Sequence, residues 1–134
     1  MPERDVEIVR RALTASTARP PDFETLNALY DPEHVLTSDW GVEGREYRGA
    51  RGFAEAIADM DAAWQEWHQE LEDVLDAGDG RILVLVRLRA RGIESGAPVD
   101  QPWAMLVTLR RGKLIASHTY LDRDRALRAA DLSR

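Results

Sequence analysis

Near Trp67 the apolar periodicity changes from about 3.6 residues to 2, which divides the chain into a helical first half and a stranded second half. Beyond that point four segments alternate like strands, over residues 67–76, 81–91, 101–110 and 113–121. Ala77-Gly78-Asp79-Gly80 and Arg111-Gly112 are short turns rich in residues that tolerate positive φ, so the strands flanking each should pair as antiparallel hairpins. A longer loop from Gly92 to Pro98 joins the middle two strands, and Asp122 is placed to cap a short terminal helix carrying Ala126, Leu127 and Ala130.

Before the switch, Val6, Val9 and Leu13 recur at helical spacing over residues 4–18, and Pro20-Pro21 end that helix. Asp22 can cap a second helix with the stripe Phe23, Leu26, Leu29 and Tyr30, which Pro32 closes. A short strand is expected at 34–38. A third helix from near Ala50 carries the stripe Phe53, Ile57, Met60 and Trp64. Helices followed by a strand meander predict an α+β fold with helices packed on one face of an antiparallel sheet. At 134 residues one domain, 1–134, is expected, burying roughly two-thirds of its unfolded surface.

Charge and composition narrow the chemistry. The formal net charge is -6 and the basic residues are dispersed among acidic neighbours, so no stripe exists to neutralise a phosphate backbone, and nucleic acid is not an expected partner. The N-terminus alternates charges and no apolar run approaches the roughly 20 residues that span a bilayer, so neither membrane insertion nor export is expected and the location is read as cytoplasmic. Without cysteine there is no disulfide, thiolate nucleophile or thiolate metal site. His34, His68 and His118 lie on separate segments without paired metal-ligand spacing, so neither metal nor cofactor is expected. Carboxylates, histidine, hydroxyls and arginine remain.

Three local patterns sit on this order: Leu29-Tyr30-Asp31-Pro32-Glu33 before the first strand, Tyr47-Arg48-Gly49-Ala50-Arg51-Gly52-Phe53 leading into the third helix, and Gly112-Lys113-Leu114-Ile115 through Tyr120-Leu121-Asp122 at the last strand. With them, nearly the whole chain resembles the superfamily of nuclear transport factor 2, ketosteroid isomerase and the SnoaL-like polyketide cyclases. The resemblance implies a cone-shaped molecule in which N-terminal helices pack on a strongly curved antiparallel sheet enclosing a pocket, and a homodimer formed through the outer sheet face. In the enzymes it resembles, pocket-buried carboxylates act as general bases.

Residue by residue, the resemblance turns Trp103, Met105 and Val107 inward, and puts Trp103 where ketosteroid isomerases hold an acid. The tyrosine those enzymes carry on the first helix is replaced near Leu13. Both departures count against steroid isomerisation. Alternation turns Ser117, Thr119 and Leu121 to the cavity and His118 and Tyr120 away, whereas a slip of one residue would turn His118 inward. Thr119 stands where the cyclases and limonene epoxide hydrolases keep a catalytic aspartate, and a hydroxyl cannot replace a carboxylate base.

Asp39 is the candidate base, since Asp39-Trp40 follows the first strand about where isomerases of this kind place theirs. Ser38 is the competing match, and the simpler role for Asp39 is a turn residue bonding its own backbone. Tyr30, Trp40, Met60, Trp64 and Trp103 form either an aromatic wall for a flat apolar ligand or ordinary core. Arg87, Arg89 and Arg91 share one strand face, opposite Val86, Leu88 and Ala90, and are expected in solvent unless one enters the cavity. The sequence thus reads as a SnoaL-like domain that binds a small apolar or aromatic ligand through Tyr30, Trp40, Met60, Trp64, Trp103, Met105 and Thr119. The alternatives are a cofactor-independent isomerase, cyclase or dehydratase-type enzyme with Asp39 as base, and a structural dimer whose cavity is filled by side chains.

Overall fold

In a computed structural model, residues 2–18, 20–39 and 46–132 are described. The first half holds α1 (Pro2–Thr17), α2 (Phe23–Leu29), β1 (Tyr30–Ser38), β2 (Tyr47–Arg48) and α3 (Gly49–Ala63). The second holds β3 (Trp64–Gly78), β4 (Arg81–Gly92), β5 (Pro98–Arg110), β6 (Lys113–Tyr120) and α4 (Arg123–Ala129). The change from helix to strand falls at Trp64, three residues before the expected point, because pairing with β4 begins there (Trp64 opposite Gly92). The second helix also ends earlier than expected, at Leu29, and Tyr30 already belongs to β1.

Among the described residues six strands form one curled sheet in the order β2-β1-β6-β5-β4-β3. From β3 to β6 the pairing is the expected antiparallel meander. Among the described strands the β1–β6 junction departs from the antiparallel pattern and is parallel. Two hairpins deliver β6 to the sheet, whereas β1 arrives from a helix, so nothing local forces the two to run oppositely. Pro32 is tolerated within β1 because the register with β6 shifts between Tyr30 and Val35, and β2 reaches only Val35 and Leu36.

The two sheet faces bury different cores. On one, Ile82, Val84, Val86 and Leu88 of β4, each at most 1% exposed, pack with Ile8, Val9 and Ala12 of α1 and Ile57 and Met60 of α3. On the other, Leu83 and Ala104 pack with Ala126 of α4 and with Ala130, which caps that helix. A fully buried aliphatic side chain stabilises the fold by about 1.5–3 kcal/mol, so the first half of β4, with Ile82, Leu83 and Val84 enclosed between the two cores, is the best-buried part of the sheet. Asp122 caps α4 as expected, accepting from the Asp124 amide. Arg123 fixes the helix to the sheet by donating to the carbonyls of Trp103 (3.2 Å) and Val86 (2.8 Å) and to Glu72.

Two glycines explain the start of α3. Gly49 has φ +64, a left-handed conformation that costs most residues energy, and a Cβ there would sit 3.0 Å from the Pro32 carbonyl. At Gly52 a Cβ would lie 2.5 Å from the Tyr47 carbonyl carbon, so the helix rests directly on the β2 backbone.

Candidate functional site

Between the inner sheet face and helices α1 and α3 lies a cavity of about 120 Å³. The helices contribute Val9, Ala12, Leu13 and Ser16, then Phe53, Ala56, Ile57 and Met60. The sheet contributes alternate residues, Leu36 and Ser38 on β1, Trp67 and Gln69 on β3, Trp103, Met105 and Val107 on β5, and Ser117 and Thr119 on β6. Van der Waals contact with apolar carbon dominates this surface. Among the described residues no Asp, Glu, Lys, Arg or His side chain lines it.

Of the residues singled out from the sequence, Tyr30, Met60, Trp103, Met105 and Thr119 stand in this wall. Trp64 does not: as the first residue of β3 it leaves the α3 stripe and packs half-buried against the core, and Trp67 takes the place expected of it. Trp40 lies outside the described residues. Asp39 is turned to the opposite face, where its carboxylate accepts from His118 Nε2 (3.1 Å) and Arg125 Nη1 (3.1 Å). Its backbone amide donates to the Thr119 carbonyl, so Asp39 continues the ladder, with Ser38, the competing match, facing the cavity. The arginines take the solvent face: Arg87 pairs with Glu72 and Asp100, Arg89 with Glu70 and Asp100, and Arg91 with Glu66. These contacts hold the Glu72 and Asp100 carboxyls below the usual carboxylate range, chiefly through the hydrogen bonds from Arg123 and Arg87 respectively.

The indole nitrogens of Trp67 and Trp103 and the Tyr47 hydroxyl are engaged by protein. Trp67 Nε1 donates to Asp61 Oδ1 (2.6 Å), Trp103 Nε1 to Gln69 Oε1 (3.0 Å), and the Tyr47 hydroxyl to Asp59 Oδ2 (2.5 Å). Tyr30 meets Phe53 edge to face, with centroids 4.8 Å apart, and burial pushes its phenol pKa up.

Sequence reasoning passed over one pair. His34, 1% exposed, sits behind the wall with Nε2 2.9 Å from Ser117 Oγ. Burial pulls its pKa down to about 4 against a smaller opposite effect from Asp31. The imidazole is therefore neutral at ordinary pH, and its tautomer decides which partner donates. The register shift in β1 precedes Val35, and the two residues are 83 positions apart, so no local pattern signalled the contact. The missed Trp67 and Gln69 had a signal in the alternation Trp67, Gln69, Leu71, which was obscured by assigning Trp64 to the helix.

Among the described residues no group of three or more His, Asp or Glu is arranged to hold a metal ion, and no helix is long and apolar enough to cross a membrane.

The family model described as the SnoaL-like domain matches residues 9–118. The chain belongs to the SnoaL-like domain family. Solved structures share the fold of this SnoaL-like chain over almost its whole length. A protein from Jannaschia sp. CCS1, provisionally named a SnoaL-like polyketide cyclase, superposes with a TM-score of 0.77 at 18% identity, covering 98% of this chain and 94% of that one. A hypothetical protein from Catenulispora acidiphila DSM 44928 with a ketosteroid isomerase-like fold, in complex with trimethylamine, gives 0.73 at 17% identity, covering 94% and 93%. TerC co-crystallised with polyporic acid gives 0.76 at 14% identity, covering 96% and 98%. These likenesses establish the nuclear transport factor 2-like fold. No curated protein matches the chain at a significant level.

Proposed function

We propose that this SnoaL-like domain binds a small apolar or aromatic molecule in the cavity between sheet and helices, and does so without a carboxylate base. The observation that carries this reading is the character of the wall: about 120 Å³ of space bounded by Trp67, Trp103, Met60 and Met105, with no carboxylate among the described lining residues. A dry apolar void of roughly 150 Å³ accommodates a benzene ring, so this one suits a compact single-ring ligand. Two structures of the same fold, one in complex with trimethylamine and one co-crystallised with polyporic acid, support a small-molecule role.

The enzyme reading, with a pocket carboxylate as general base in an isomerase, cyclase or dehydratase, is disfavoured by the same wall. Asp39 is engaged by His118 and Arg125 on the other face, and a base must come within about 3 Å of the proton it removes. One domain, a homodimer and a cytoplasmic location complete the proposal, and light scattering on the purified protein tests the dimer.

Thermal denaturation with a panel of aromatic and polycyclic compounds tests the ligand. A compound at a hundredfold over its Kd stabilises the folded state by about 2.7 kcal/mol. Absence of any shift across the panel would leave a cavity that takes no ligand.

A further inference from the structure

One end of the cavity differs chemically from the rest. The parallel register of β1 and β6 sets Leu36 beside Ser117 and Ser38 beside Thr119, so three hydroxyls from two adjacent strands face the same void. They interrupt a wall that is otherwise mostly hydrocarbon. Among the described residues the Thr119 hydroxyl has no hydrogen-bond partner, yet no enclosed side-chain oxygen or nitrogen is left unsatisfied, so this hydroxyl opens into the cavity. Ser117 is held from behind by His34 Nε2 at 2.9 Å.

Resting on the ligand reading above, the geometry points to a specific ligand class: uncharged compounds of about one ring that carry a single hydroxyl or carbonyl oxygen, bound with that oxygen on Ser117 and Thr119. A serine hydroxyl has one proton and two acceptor sites. If His34 accepts, Ser117 gives its proton to the imidazole and receives one from the ligand; if His34 donates, the Ser117 proton is free for a ligand acceptor. Ser117 therefore serves an alcohol in either tautomer and a carbonyl in one, while the unpartnered Thr119 hydroxyl can donate to the ligand oxygen in both. Charge is excluded on the same geometry. An anion here would meet no cation among the described lining residues, and a cation would meet no carboxylate. Either ion would lose its hydration without a compensating partner.

The test uses four ligands of nearly one shape with the intact chain at neutral pH: toluene, benzyl alcohol, benzoate and benzylammonium, titrated calorimetrically and by thermal shift. Benzyl alcohol should bind at least tenfold more tightly than toluene, and the two ions should show no saturable binding. Thr119→Val, which keeps the shape and removes the hydroxyl, should bring the alcohol to within about threefold of toluene. Ser117→Ala should do the same, and Thr119→Val decides the matter if Ser117→Ala fails to fold. Equal affinity of the native protein for toluene and benzyl alcohol, or binding of benzoate as tight as that of the alcohol, overturns the inference while leaving an apolar ligand site in place. Absence of binding by all four, toluene included, removes the ligand site and this inference together.

Discussion

Asp39 and His118 meet on the sheet face opposite the cavity, with Oδ1 3.1 Å from Nε2. His118 Nδ1 lies 2.5 Å from the Thr37 hydroxyl, and Arg125 reaches the second Asp39 oxygen from α4. The cluster ties β1, β6 and the terminal helix together behind the wall. Asp39→Asn should leave ligand-induced stabilisation unchanged. It should lower unfolding free energy by less than about 1 kcal/mol, as expected of a partly exposed ion pair. Denaturant unfolding with and without a bound aromatic compound measures both, and loss of the ligand effect would place Asp39 in the binding site after all.

His34 gives the fold a pH dependence with a definite sign. Its value in the folded chain, about 4, lies below the ordinary 6.5, so the unfolded chain takes up the proton first as pH falls. Folding stability thus declines from pH 6.5 toward 4, at up to about 1.4 kcal/mol per pH unit and on the order of 3 kcal/mol in all. His34→Gln should flatten that part of the profile. Urea unfolding at pH 7 and pH 4.5 on both proteins provides the comparison, and parallel profiles would show that His34 is already hydrated in the folded state.

Gly52→Ala should destabilise the fold by about 1–3 kcal/mol, the usual cost of forcing an atom into a packed contact. The added carbon would meet Tyr47 backbone, which cannot rotate away. Because Tyr47 also borders the cavity, ligand affinity should fall in the same variant. A melting curve and one titration suffice, and an unchanged melting temperature would mean that α3 can lift from β2 at no cost.

Ala56 lines the cavity from α3, so Ala56→Leu projects a larger apolar side chain into the void. The free protein should melt at the same temperature or higher, because the new methyl groups occupy empty space, while stabilisation by benzyl alcohol should fall by more than half. Undiminished stabilisation would locate the ligand elsewhere.

Local chemistry made part of this molecule legible in the sequence. The change of period, the two glycine turns, the Asp122 cap and the inward parity of Ser117 and Thr119 all follow from short-range rules, and the structure shows each of them. What distance decides was not legible. Trp64 continues the spacing of Phe53, Ile57 and Met60, and only its pairing with Gly92 makes it a strand residue. Parallel pairing of β1 with β6 turns Asp39 toward His118, and the contact of His34 with Ser117 joins two segments no window of residues connects.

The parallel ladder between β1 and β6 also governs when the molecule can assemble. Thr37 and His118 are 81 positions apart, and joining such remote partners makes folding slow, because most of the loop entropy is lost before the contact is gained. On the ribosome, β1 would wait with an unpaired edge until the last strand had emerged. A nascent chain halted before Lys113 would hold helices, the three-stranded meander β3-β4-β5 and open borders on β1 and β5, a species prone to self-association that the completed protein conceals.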